Sequence, residues 1–176
     1  GARRPPGRRE GRDRRPVRIV TDTESRRIAD RAEIHDLLVT LALAQDARDW
    51  TTLGDCFTPD AAYVHPGGEL VGVEPIVART RTALTPLDAS QHLLGTILVT
   101  VAETGASAVT YFQAQHVRRG TEGGDLYTIA GTYRDRLERC DDGRWRVAHR
   151  TQEYTWRDGN PAVTRRNTAP AEGTPR

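Results

Sequence analysis

The sequence predicts an α+β fold in which three helices are laid on one face of a curved antiparallel sheet. Three observations point there. Ile28, Ile34, Leu37, Leu38 and Leu41 recur at three- and four-residue steps, the spacing of one helix face. From Ser90 onward the period changes to two, with Tyr127, Ile129, Gly131 and Tyr133 alternating against Thr128, Ala130 and Thr132. Glycine, proline and aspartate punctuate the runs, and Asp142-Gly143 is a strong hairpin signal. A length of 176 residues favours one domain.

Residues 1–20 mix Arg, Pro and Gly with almost nothing to bury, and are expected to form a disordered tail. The folded domain is expected over 21–157. Thr21 with Glu24 three residues later fits a capping box, opening a helix that runs to about Arg48. A short second helix over Asp49–Phe57 would pack Trp50, Leu53 and Phe57. Thr58-Pro59-Asp60 ends it. Ala61–His65 reads as a brief strand, and Pro66-Gly67-Gly68 as a turn. A third helix starts at Gly72–Pro75, with proline in its first turn, and stops at Thr85-Pro86. Four strands follow as a meander, His92–Glu103, Ser107–Arg119, Asp125–Cys140 and Arg144–Trp156. Residues 158–176 are expected to be a second loose tail.

Charge and composition exclude several function classes. Residues 1–18 hold eight Arg against Glu10 and Asp13, a charge of +6, while the whole chain carries +2; the rest is therefore −4. The basic pI belongs to the tail and does not argue for a nucleic-acid-binding domain. Every basic residue is Arg, and without lysine there is no lysine Schiff base. No apolar run approaches the ~18 residues of a membrane span. Cys56 and Cys140 lie far apart, as free thiols of a reducing compartment would. No hydrophobic segment follows the N-terminal Arg pairs, so a cytoplasmic location is expected. GxSxG, P-loop and GxGxxG patterns are absent.

The motifs resemble the SnoaL-like branch of the nuclear-transport-factor-2-like superfamily. Ala44-Gln45-Asp46-Ala47-Arg48-Asp49-Trp50 and Cys56-Phe57-Thr58-Pro59-Asp60-Ala61 carry the resemblance in the helical part. Ser90-Gln91-His92-Leu93-Leu94-Gly95, Gly131-Thr132-Tyr133-Arg134-Asp135 and Asp142-Gly143-Arg144-Trp145-Arg146-Val147 carry it in the sheet. It covers about residues 24–157 and implies a cone-shaped fold enclosing a pocket. Chemically, the chain is most similar to scytalone dehydratase and related lyases. The resemblance implies that Asp46, His92 and His116 form an acid–base cluster. It also implies that Tyr63 or His65 supplies a pocket donor, that Gln45 stands where a tyrosine is often found, and that the Tyr133-Arg134 stretch reaches the substrate.

Each of these residues also has a plainer reading. Asp46 alone could be a surface carboxylate at a fraying helix end, disfavoured there by the helix dipole unless a cation or N–H meets it. His92 alone could be a core histidine. His116 shares the parity of Phe112 and Ala114, which points it inward. His35 and His149 read as structural. A metal site would want a close pair such as HxH or HxxxH, whereas successive histidines here lie at least 24 residues apart. The expectation is therefore a lyase without metal or cofactor, acting on a small carbonyl-bearing or aromatic molecule such as a polyketide intermediate. His92, oriented by Asp46, would take a proton, and His116 would protonate the departing hydroxyl. An isomerase or aldol-type cyclase could use the same cluster, while a non-catalytic binding subunit predicts the three groups dispersed or exposed. Self-association through the outer sheet face is expected, as a dimer or trimer.

Overall fold

The computed structural model describes residues 21–165. The expected tail over 1–20 and the end of the C-terminal one, 166–176, lie outside the described residues. Helix α1 (Asp22–Ala47) opens on the expected capping box. The Thr21 hydroxyl accepts the Glu24 N–H at 3.2 Å, and the Glu24 carboxylate accepts the Thr21 N–H at 3.0 Å. Its inner face buries Ile34, Leu38, Leu41 and Ala44. Helix α2 (Trp50–Asp55) is shorter than expected, because Phe57 is drawn into the sheet as the first residue of β1 (Phe57–His65). A hairpin unread in the sequence then adds the short strand β2 (Gly68–Val71) to the edge of β1. Helix α3 (Val73–Leu84) begins after Gly72 and buries Ile76, Thr80 and Leu84.

Strands β3 (Ala89–Ala102), β4 (Gly105–Val117), β5 (Leu126–Arg139) and β6 (Trp145–Gly159) form the antiparallel meander. The sheet order is β2-β1-β6-β5-β4-β3. One pairing departs from expectation: β1 runs parallel to β6, so the sheet is mixed. A two-stranded β1–β2 ribbon is marginal by itself. Its apolar residues Phe57, Ala61 and Tyr63 become buried once β6 lies alongside.

Among the register shifts of the sheet, one in β3 and one in β6 decide which side chains of the following residues face the helices. In β3 the register slips between Gly95 and Ile97, where Thr96 adopts φ 53°. In β6 it slips at Ala148, since Leu137 pairs with Val147 but Arg136 pairs with His149. An extra residue transfers everything beyond it to the other face. Trp145 and Val147 are therefore buried ahead of the bulge, and Ala148 and Arg150 beyond it.

The main core joins Ile34, Leu38, Leu41, Leu53, Phe57, Ile76, Leu137 and Val147 between helices and sheet. The outer sheet face exposes Leu93, Leu98, Tyr111 and Trp156. The segment after residue 157 is not loose where it is described. Asn160 donates to the carbonyls of Glu122 and Gly124 at 2.8 and 2.7 Å, and caps a 3-10 turn, Pro161–Thr164. Val163 in that turn is 1% exposed and packs with Leu84, Leu87 and Tyr127. Among the described residues, no helix is long and apolar enough to cross a membrane.

Candidate functional site

The last turn of α1 delivers Asp46 to the start of β3. Arg48 closes the helix in the left-handed conformation, φ 61°. Its guanidinium folds back to donate to the Gln45 and Asp46 carbonyls at 2.8 and 3.2 Å and to Ser90 Oγ at 2.7 Å. A cation thus meets the carbonyls of the last turn, at the negative end of the helix dipole. The N–H partner that an aspartate at this position requires comes from His92.

The Asp46 carboxylate is held from three directions. Oδ2 accepts the His92 backbone N–H at 2.7 Å. Oδ1 accepts the Ser90 hydroxyl at 2.9 Å and lies 2.7 Å from His92 Nδ1. Burial works to raise the Asp46 pKa, but the side-chain and backbone hydrogen bonds from His92 outweigh it and hold the carboxyl below its ordinary value. An ionised carboxylate only accepts, so the proton of this hydrogen bond sits on His92 Nδ1. The His92 side chain is 6% exposed.

His116 lies diagonally across the β3–β4 ladder, where Ser90 pairs with His116 and His92 with Ala114. The two rings are 6.1 Å apart and nearly perpendicular, at 85°. His116 Nδ1 lies 3.2 Å from the Tyr127 carbonyl, which can only accept; Nδ1 therefore carries the proton and Nε2 a lone pair. Burial, reinforced by the neighbouring His92, pushes the His116 pKa down to about 4. At neutral pH His116 is therefore uncharged, and its free nitrogen, Nε2, is an acceptor.

That depression has a consequence for stability. An unfolded histidine titrates near 6.5, so between about pH 6.5 and 4 the unfolded chain binds the extra proton. Stability is therefore full above that window, falls as pH drops through it, and levels off below. The expected loss from this one group is of order 3 kcal/mol. Urea unfolding across the window should show the fall in the wild type and a flatter profile in His116→Gln. Parallel profiles for the two proteins would contradict the assignment.

Both histidines line a cavity of about 230 Å³ between α1, α3 and the sheet, together with Gln45, Tyr63, Tyr133, Arg79, Gln152 and Tyr154. Tyr63 is buried, and its hydroxyl donates to Gln152 Oε1 at 2.7 Å. Tyr133 is stacked on Phe112 with centroids 4.2 Å apart, and the Arg150 guanidinium carbon stands 4.2 Å from the centre of its ring. Burial holds its phenol in the protonated form. A larger groove of about 760 Å³ lies between α2, α3 and the β5–β6 turn, but it shares no lining residue with this cavity and contains no histidine.

Two expected site residues are elsewhere. His65 does not line the cavity; its Nδ1 accepts the Gly67 N–H at 2.9 Å, which commits the ring to the β1–β2 turn. Arg134 points out of the sheet, next in line after the inward Tyr133, and pairs at 3.3 Å with Glu153, both about half exposed. Conversely, Arg79, Gln152 and Tyr154 were not foreseen. The Ala148 bulge hides the latter two, because uninterrupted alternation from Trp145 and Val147 would aim them outward. Arg79 had a readable signal: it follows Ile76 by three residues on α3 and flanks the buried Ile76–Thr80–Leu84 stripe.

Comparison with known proteins agrees with this architecture. Terrestric acid biosynthesis cluster protein E of Penicillium crustosum is 28% identical over 141 residues, which cover 77% of this chain and 90% of that protein. A scytalone dehydratase-like structure from Novosphingobium aromaticivorans superposes with a TM-score of 0.70 at 19% identity, covering 84% of this chain and 99% of its own. A hexachlorocyclohexane dehydrochlorinase from Novosphingobium barchaimii does so with a TM-score of 0.68 at 20% identity, covering 77% and 92%. At these identities the two structures speak for the fold alone. The SnoaL-like domain family matches residues 26–151, most of the chain, and the protein belongs to that family within the nuclear-transport-factor-2-like superfamily.

Proposed function

We propose that the protein is a cofactor-independent lyase that eliminates water, or a comparable leaving group, from a small carbonyl-bearing or aromatic secondary metabolite. The observation that carries this reading is the Asp46–His92 pair, joined at 2.7 Å, beside a second imidazole on the same sheet face, both rings lining a sheltered cavity. With Nδ1 bound to Asp46, the free nitrogen of His92 is Nε2. It takes the proton next to the carbonyl, and Asp46 stabilises the imidazolium that results. The C–H electron pair passes into an enolate. As the enolate collapses, the bond to the β-hydroxyl breaks, and the His92 imidazolium returns its proton to the departing oxygen as water.

His116 takes a different part from the acid role expected of it. Unprotonated at neutral pH, it accepts the hydrogen bond of a substrate hydroxyl and orients it. Tyr63 has committed its own hydrogen to Gln152, so the contact to the carbonyl oxygen falls to Tyr133, protonated and in the wall. Gln45 lines the same space.

Product analysis tests the reading. A β-hydroxy ketone or β-hydroxy aryl substrate incubated with the enzyme should lose the mass of water. A product isomeric with its substrate would instead identify an isomerase or cyclase built on the same groups.

A further inference from the structure

The cavity contains one side chain with a fixed charge, and that charge is unanswered. Arg79, on α3, lines the wall and is half-buried. Among the described residues, no carboxylate lies within ion-pair distance of it. Its polar contact is with His65 Nδ1, 3.3 Å from Nη2, and its guanidinium carbon stands 5.9 Å from the centre of the Tyr63 ring. Burial and Arg79 itself lower the His65 pKa, so that neighbour stays neutral and supplies no counter-charge.

The most deeply buried guanidinium among the described residues is treated differently. Arg150 is gripped by both oxygens of Asp135, at 2.7 and 2.8 Å. Arg146, 17% exposed at the side chain, pairs with Asp142 at 2.7 Å. A guanidinium partly removed from water and left without an anion pays desolvation without recovering it. Arg79 is left in that state on the wall of a cavity, where a bound molecule could supply the missing charge.

The neighbouring wall is suited to the same ligand. Gln152 Oε1 accepts the Tyr63 hydroxyl, so the group Gln152 has left to offer is its NH2. The histidine end presents a lone pair at His116 Nε2, which would repel an anion. The cavity is thus polarised, with donors at one end and acceptors at the other.

We propose that the substrate is an anion, carrying a carboxylate or an acidic enol that Arg79 binds, assisted by the Gln152 amide, while the reacting carbons lie toward His92. This rests on the lyase reading for the direction of the substrate, but not for the charge preference itself. A planar pair of oxygens matches the guanidinium fork, which also explains an arginine rather than a single donor.

The test is a binding measurement that needs no turnover. At pH 7, 2-naphthoate, its methyl ester and 2-naphthamide are titrated into the wild type, Arg79→Gln and Arg79→Lys, with affinities read by calorimetry or NMR shifts. The acid should bind the wild type at least about tenfold more tightly than either neutral analogue. Arg79→Gln should bring that ratio close to one while leaving ester affinity unchanged, and Arg79→Lys should restore part of it. Equal binding of acid and ester by the wild type, a preference that survives in Arg79→Gln, or no binding of the acid at all would each overturn the proposal. Repeating the titration in His92→Ala separates the two readings, because charge preference should persist there even though elimination is lost. The same titration with a cyclic 1,3-dicarbonyl, ionised at neutral pH, tells the acidic enol from the carboxylate.

Discussion

Replacing Asp46 by Asn is expected to lower kcat/KM by about 10²–10⁴-fold while the protein stays folded. The change is nearly isosteric, but an amide can no longer stabilise an imidazolium at 2.7 Å. It also turns a donor group toward the His92 N–H or the Ser90 hydroxyl, both of which now donate to the carboxylate. His92→Ala removes the reacting nitrogen outright and should be at least as severe. Steady-state kinetics on both variants, alongside thermal melts, distinguish loss of chemistry from loss of fold. His116→Gln should behave differently: if His116 only orients the substrate, KM rises more than kcat falls. Wild-type turnover in both the Asp46 and His92 variants would sink the assignment.

The largest effect on stability is expected at the Asp135–Arg150 pair. Asp135 is 0% and Arg150 5% exposed at the side chain, and both guanidinium-to-carboxylate hydrogen bonds are short. Burial alone would push the Arg150 pKa down; the charge and hydrogen bonds of Asp135 more than reverse this, so the arginine is held ionised. Asp135→Asn or Arg150→Met leaves one buried charge without its partner and should cost about 3–5 kcal/mol. Replacing both, as Asp135→Leu with Arg150→Met, should recover much of that loss, since two apolar groups leave no stranded ion. Chemical denaturation of the two single variants and the double variant measures it. Additive losses in the double variant would mean that the pair is not the source.

These two sites were not equally legible in the sequence. The family resemblance singled out Asp46, His92 and His116, and the undisturbed period of the strand agrees with it at His116, which shares a face with Phe112 and Ala114. The meander could be bounded closely from the same period. Arg150, Gln152 and Tyr154 could not, because a single inserted residue at Ala148 reverses the face, and nothing in Val147-Ala148-His149 announces it. Strand β2 escaped because Gly-Glu-Leu-Val is too short to show a period. The parallel seat of β1 escaped because pairing between segments some ninety residues apart leaves no local trace. Arg134 was misplaced by carrying over a position from a family rather than following the parity of this chain, since Tyr133 points in and its neighbour must point out; His65 shares the parity of Tyr63, but it ends its strand and its ring is taken up by the Gly67 N–H of the turn.

The parallel seam between β1 and β6 also bears on how the chain reaches its final form. During synthesis, α1, α2, β1 and α3 emerge long before the strand that β1 must join, and loop closure over that separation is slow. Until β6 arrives, Phe57, Ala61 and Tyr63 have little to pack on. The Tyr63–Gln152 hydrogen bond crosses the same seam. The wall of the pocket is therefore completed by the strand furthest along the chain, and truncation ahead of Trp145 removes Gln152 and Tyr154 from the cavity together with the strand that closes the sheet over β1.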